Sequence, residues 1–257
     1  MELEAKDIET TAIEDGIVLW FLGGPSLAIR TGQSLVYLDL FTGPSPAPEI
    51  ITKAIPAAID PQAIRWADIA ISTHFDEDHC DWHALGFLNK NTSCLFLGPV
   101  SCNRLYEQWG FDLARRRQIA AFESFAKKDI AIHAYPSKDA YDPDAVTYVI
   151  EAGGVRLFDS GDTLYIPELE QIGRAWDLDI ACLSYARSPA DKVIYMDEEA
   201  VLKATEDLKA KMVILKHYDL WVEFAVDPGP LLKKLKAQGH DARIFGLGEH
   251  FAYRGEA

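Results

Sequence analysis

Long apolar runs are missing from this chain. No stretch reaches the about 18 consecutive apolar residues that a membrane-spanning helix needs, so no membrane partner is expected. Residues 1–15 are acidic and mixed, without the positive start and apolar run of a secretory signal peptide, and a cytoplasmic location is the expectation. Cysteine is scarce. Cys80, Cys94, Cys102 and Cys182 show no zinc-ribbon or redox spacing, and 257 residues can build a core without disulfide staples. They read as reduced, packed thiols, Cys80 included. Positive charge is in deficit, with 25 Lys and Arg against 40 Asp and Glu, a formal net charge of −15. Such a field repels a phosphate backbone, and the basic runs around Arg115, Lys127 and Lys233 are short, so a nucleic-acid partner is excluded. A small anion can still be held locally. No internal repeat, no low-complexity tract and no Ser-His-Asp elbow occurs.

What is present is an alternation of strand and helix patterns in a chain that is 49% hydrophobic. Short apolar runs at 17–22, 26–30 and 35–40 are separated by Gly23-Gly24-Pro25 and Thr31-Gly32-Gln33. A Pro-rich loop follows at 43–48. Strands are predicted at 68–72, 94–97, 130–135, 146–151, 155–159, 178–183, 212–215, 242–245 and 250–253, with Gly153-Gly154 as a hairpin turn. Helices are predicted at 82–90 and 99–109. Two more start at Asp197, with Ala200, Val201, Ala204 and Leu208 inward, and at Asp227-Pro228, with Leu231, Leu232 and Leu235 inward. Periodicity alone supports an α/β unit with two sheets covered by helices.

The densest chemistry is Ser72-Thr73-His74-Phe75-Asp76-Glu77-Asp78-His79-Cys80-Asp81, directly after a buried strand and before a helix. Imidazole and carboxylate are the ligands that borderline and hard divalent metals take. An acidic helix N-terminus explains Asp78 and Asp81 but not His74 and His79. Two weaker signals also lie at the ends of apolar strands: Asp159-Ser160-Gly161-Asp162, and Leu215-Lys216-His217. α/β folds gather their sites at such strand ends.

At these residues the chain resembles the metallo-β-lactamase superfamily, and within it the L-ascorbate-6-phosphate lactonase type. Residues 73–79 are similar to its Thr-His-x-His-x-Asp-His signature, and Gly161-Asp162 and His217 fall in the order of its later metal motifs. Further echoes are Asp78-His79-Cys80-Asp81, Leu183-Ser184-Tyr185 and His217-Tyr218-Asp219-Leu220-Trp221. The resemblance implies a single-domain αββα four-layer sandwich spanning residues 1–257, with 1–15 as an N-terminal extension. It implies one metal on Asp78, His79 and His217, with Asp162 bridging, and a second on His74 and Asp76. Asp76 replaces a histidine of the signature, and Pro136-Ser137-Lys138-Asp139 lacks the histidine usual after its strand. That makes Asp139 a candidate ligand and Lys138 a candidate substrate contact or a metal-excluding charge. Exchange of nitrogen for oxygen donors favours manganese over zinc in one or two divalent-ion sites.

The expected activity is metal-dependent hydrolysis by a metal-bound hydroxide, the ion lowering the pKa of water towards about 7, with Asp78 orienting the water. The substrate class implied is a small phosphorylated lactone or ester. A small-molecule phosphodiesterase is the alternative, and a degenerate metal-binding domain without turnover is a third reading, favoured by Asp76 and by the histidine missing from the 136–139 loop. Arg187, Lys216, Tyr218 and His250 are candidate substrate contacts beside the motifs. Asp39 is read as structural support, and a homo-oligomer would fit the resembled type.

Overall fold

The computed structural model describes residues 3–255. In chain order the first half carries α1 (Ala5–Thr10), β1 (Ile17–Phe21), β2 (Leu27–Arg30), β3 (Leu35–Leu38), β4 (Ile69–Ile71), α2 (Trp82–Asn91), β5 (Leu95–Gly98), α3 (Val100–Gln108) and β6 (Arg116–Gln118). The second carries β7 (Ser124–Lys127), β8 (Ile130–Pro136), β9 (Val146–Ala152), β10 (Val155–Asp159), α4 (Glu168–Ala175), β11 (Ile180–Ser184), α5 (Glu198–Leu208), β12 (Met212–Lys216), α6 (Gly229–Ala237), β13 (Asp241–Arg243) and β14 (His250–Tyr253).

Two seven-stranded sheets result, in the orders β14-β1-β2-β3-β4-β5-β6 and β13-β12-β11-β10-β9-β8-β7. They repeat one topology. In the first, β14 through β3 pair antiparallel and β3 through β6 parallel. In the second, β7 through β10 pair antiparallel and β10 through β13 parallel. The sequence carries no repeat because packing constrains only the apolar pattern, which many sequences satisfy.

Strand periodicity builds the layers. Ile17, Leu19 and Phe21 of β1 face the second sheet across a common core that includes Ile132, Tyr148, Leu157 and Ile214. The alternate residues Val18 and Trp20 face outwards to a cluster with Ile8, Leu85, Leu88 and Tyr106 of the helices. On the other side Phe158, Ala181 and Val213 meet Leu169, Val201, Leu208, Leu231 and Leu235 of α4, α5 and α6. The layers are helices, sheet, sheet, helices. The αββα sandwich is the architecture seen. The segment expected as an extension contributes Ala5 and Ile8, both buried, to the outer cluster.

Gly153 and Gly154 join β9 to β10 with φ of 53° and 77°, the left-handed pair that a tight hairpin requires. Crossovers, α-helical between every parallel pair except β3 and β4, return the chain in the same direction, so the carboxyl ends of β3, β4, β10 and β12 share one edge of the sandwich. No helix among the described residues is long and apolar enough to cross a membrane.

Candidate metal centre

β4 ends at Ile71, and the next turns deliver His74, Asp78 and His79 before Asp81 caps α2 through the N–H groups of His83 and Ala84. β10 ends at Asp159, whose Oδ1 accepts from Gly161 N at 2.9 Å and closes the turn that presents Asp162. Gly161 sits at φ 50°, and a Cβ there would lie 3.0 Å from the Thr73 side chain. β12 ends at Lys216, and His217 turns away at φ 69°, its N–H bonded to Gly24 O at 2.9 Å. A left-handed histidine is a strained backbone held by its surroundings, a feature that concentrates at functional sites.

The side chains converge. His79 Nε2 lies 3.2 Å from Asp162 Oδ2 and 3.2 Å from His217 Nε2. His217 Nε2 lies 3.3 Å from Asp78 Oδ2 and 3.4 Å from Asp162 Oδ2. His74 approaches from the other side, its ring centroid 4.0 Å from that of His79. Donor atoms of Asp78, His79 and His217 form one compact group and those of His74, His79 and Asp162 another. All these residues are buried.

Supporting residues fix the orientation. His79 Nδ1 donates to Asp39 Oδ2 at 2.8 Å, which turns the lone pair of Nε2 to the centre. Asp39 also accepts from Thr73 N at 2.8 Å and from Thr73 Oγ1 at 2.9 Å. Trp221 Nε1 donates to Asp78 Oδ2 at 3.0 Å. Burial alone would raise the Asp78 carboxyl, but the imidazoles of His79 and His217 outweigh it and bring it down to about 2. Asp162 is likewise held well below the usual carboxylate range against its burial, by His217, His79 and His74. Both are ionised at neutral pH.

Are these residues fit to hold a divalent ion? Tetrahedral ligation at about 2.0–2.1 Å places neighbouring donors roughly 3.3–3.4 Å apart, and the distances above run from 3.2 to 3.4 Å. His74 Nε2 and Asp162 Oδ1 are buried without a hydrogen-bond partner. Buried polar atoms are normally paired, so two orphans on residues of one compact donor group mark a place for a cation. The residues fit.

The remaining expected site residues are placed unevenly. Asp76 is partly exposed, its Oδ2 3.6 Å from His74 Nε2, and it belongs to neither compact donor group. Asp139 also belongs to neither; its Oδ1 accepts from Tyr141 N and Asp142 N and shapes its own loop. Lys138 is exposed, and its N–H donates to Thr163 Oγ1 beside Asp162. Arg187 lines a cleft of about 310 Å³ with Tyr185, Ser188 and Tyr195. Lys216 requires a correction. It is wholly buried, its Nζ 3.0 Å from Asp159 and 3.1 Å from Pro25 O, and cannot meet a substrate. Tyr218 donates its hydroxyl to Phe245 O at 2.8 Å and stacks on Phe21. His250 stacks on Trp20, on the helix side of the first sheet. Both side chains are thus engaged in packing rather than turned to the centre. Sequence reasoning missed the roles of Thr73 and Trp221, and it missed Tyr195, whose ring lies 5.3 Å from that of His217. A lone tyrosine in a loop gives no signal.

Comparison with known proteins bears on this edge of the sandwich. A family model described as the beta-lactamase superfamily domain matches residues 42–218, a stretch that contains every residue of both donor groups. The chain belongs to the beta-lactamase superfamily. The probable L-ascorbate-6-phosphate lactonase UlaG of Salmonella paratyphi B is 29% identical over 197 residues, 68% of this chain and 56% of that protein. The chain therefore spans little more than half the length of the curated relatives it matches. Igni18, a metallo hydrolase of the archaeon Ignicoccus hospitalis, superposes with TM-score 0.73 at 18% identity, over 93% of this chain and 99% of that one. CmlA, a diiron beta-hydroxylase of Streptomyces venezuelae, superposes with TM-score 0.74 at 14% identity, over 93% and 54%. A hydrolase and a hydroxylase on one fold show that the fold alone does not choose the chemistry.

Asp39 offers a test within this superfamily site. Asp39→Asn keeps the shape and tolerates the left-handed φ of 47°, but loses the charge that faces His79. Metal affinity is expected to fall about 10–100-fold, as loss of an outer-shell partner typically does. Competition with a chromogenic chelator measures it, and unchanged affinity would count against the orienting role.

Proposed function

We propose that the chain is a metal-dependent hydrolase acting on a small ester-like substrate, a phosphorylated lactone in the first instance. The observation that carries this reading is the convergence of Asp78, His79, His217 and Asp162 at ion-ligating spacing, with His74 Nε2 and Asp162 Oδ1 unpaired beside them. Asp78, His79 and His217 would hold one divalent ion, Asp162 would face both positions, and His74 with Asp76 would hold a second, weaker and richer in oxygen. That donor set favours manganese in the weaker position. A bound dication supplies an acidified water and positive charge against the oxyanion of an attacked carbonyl.

The chain's own residues do the rest. Asp78 is fixed by Trp221 through Oδ2. Its other oxygen is the group best placed to orient a water and take its proton. Asp39 holds the His79 tautomer, and Thr73 Oγ1, 3.0 Å from His74 Nδ1, steadies His74. Lys138 and Arg187, the one exposed and the other lining the neighbouring cleft, would receive a phosphate carried by the substrate. The relationship to the probable lactonase UlaG supports that choice. The described residues, joined by one core between the sheets, would act as a single catalytic domain.

The test is a panel of sugar lactones and phosphorylated lactones against chromogenic phosphodiesters, with manganese- and zinc-loaded protein. Turnover of lactones in preference to phosphodiesters is expected. Preference for phosphodiesters would replace this substrate class, and no turnover of any kind would favour a domain that binds metal without catalysis.

A further inference from the structure

The segment between β11 and α5 packs its last residues against the metal centre. Ser188 shapes it, with Oγ accepting from Ile194 N and Tyr195 N at 3.0 Å each. Arg187 N donates to Phe224 O at 2.8 Å and ties the segment to the stretch after His217. These bonds set the Tyr195 ring between His217, 5.3 Å away, and Phe224, 6.2 Å away. Tyr195 is 6% exposed. Its hydroxyl makes no hydrogen bond to any described residue and is not among the buried unpaired polar atoms, so it meets the cleft, within electrostatic reach of Asp162, Asp78, Asp76 and Asp139.

The ring is buried, but the hydroxyl opens to the cleft that Arg187 and Tyr185 also line. A phenol with no protein partner at such a wall is placed to meet a ligand that enters the cleft. The chemistry around the hydroxyl says what kind of partner it is. The centre is lined by carboxylates and by imidazole nitrogens whose lone pairs face inwards, all of them acceptors. A phenol at neutral pH can donate. It brings the one function the lining lacks, a neutral donor next to an anion-forming carbon or phosphorus.

We propose that the Tyr195 hydroxyl donates a hydrogen bond to the oxygen of the substrate's scissile carbonyl or phosphoryl group, a contact that strengthens as negative charge develops there. The inference rests on the hydrolase reading above. No bond to Tyr195 forms, and its proton stays on the phenol throughout. The Ser188 turn is what aims it.

Tyr195→Phe keeps the ring against His217 and removes only the donor. The holoprotein and this variant are compared in metal content, in turnover of the lactone and phosphodiester panel, and in calorimetric affinity for inorganic phosphate, a tetrahedral oxyanion. Metal content should be unchanged, kcat should fall about 10²-fold with KM little altered, and phosphate should bind about tenfold more weakly. Equal turnover and equal phosphate affinity would reduce Tyr195 to a wall of the cleft, and loss of metal would make it a ligand; either overturns the proposal. If the wild type turns over nothing in the panel, the hydrolase reading fails separately, and the phosphate measurement still decides whether Tyr195 is an oxyanion donor.

Discussion

Asp78→Ala is expected to lower turnover by about 10²–10⁴-fold, the range a positioned acid–base group contributes, without unfolding the protein. The carboxylate is buried, ionised and pinned by Trp221 Nε1 at 3.0 Å, and it faces His217 Nε2 at 3.3 Å. Removing it withdraws a donor from one ion position and the group that orients the attacking water. The fold should survive because Asp78 sits at the edge of the sandwich, outside the core between the sheets. Steady-state kinetics, circular dichroism and metal content on the same preparation separate the effects. A folded Asp78→Ala protein that keeps its metal and turns over normally would show that the chemistry runs elsewhere.

Lys216→Ala is expected to cost about 3–5 kcal/mol of stability, the usual cost of breaking a buried ion pair. Lys216 and Asp159 are both fully buried at the ends of β12 and β10, 3.0 Å apart. Burial raises the Asp159 carboxyl, and the Lys216 ammonium opposes that rise. Without the ammonium, Asp159 is left as an uncompensated buried charge next to Asp39. The deficit should therefore shrink on acidification, since a protonated Asp159 carries no charge to strand. A double variant, Lys216→Met with Asp159→Leu, removes both charges and should recover part of the lost stability, because well-packed apolar replacements of buried pairs are often neutral. Urea unfolding at neutral and mildly acidic pH measures all three proteins. A Lys216→Ala loss under about 1 kcal/mol would mean that the pair is hydrated rather than dry.

Much of the fold was legible because buried strands in a layered α/β unit read as short apolar runs. Residues 17–21, 130–136, 146–152 and 155–159 fall where the runs lie, and the Gly153-Gly154 turn is where it was expected. Strands without such runs escaped. β6 is Arg116-Arg117-Gln118 and β7 is Ser124 to Lys127, both edge strands with exposed residues. Edges carry charge to discourage further pairing, and that charge erases the pattern. α4 also escaped, since Gly173 reads as a helix breaker. The structure shows why it is tolerated: a Cβ there would lie 2.0 Å from Asp207 O, so α4 and α5 meet at that residue.

The candidate centre divides the same way. His74, Asp78, His79, Asp162 and His217 were readable because histidine and aspartate at the ends of buried strands have few other purposes. Lys216 was misjudged because its neighbour His217 faces the centre; the two point apart along the strand end, and only the pairing with Asp159 reveals it. Tyr195 and Trp221 reach the centre from loops whose path is set by tertiary contacts. Ser188 Oγ, bonded to two N–H groups six and seven residues on, has no sequence signature.

The most direct test of the metal centre is elemental mass spectrometry of the protein purified in metal-poor buffer, beside His217→Ala prepared in the same way. One or two divalent ions per wild-type chain, with a clear loss in the variant, is the expected result. A wild-type chain that carries no divalent ion, and takes up neither manganese nor zinc when these are added, would contradict the centre built from Asp78, His79, Asp162 and His217.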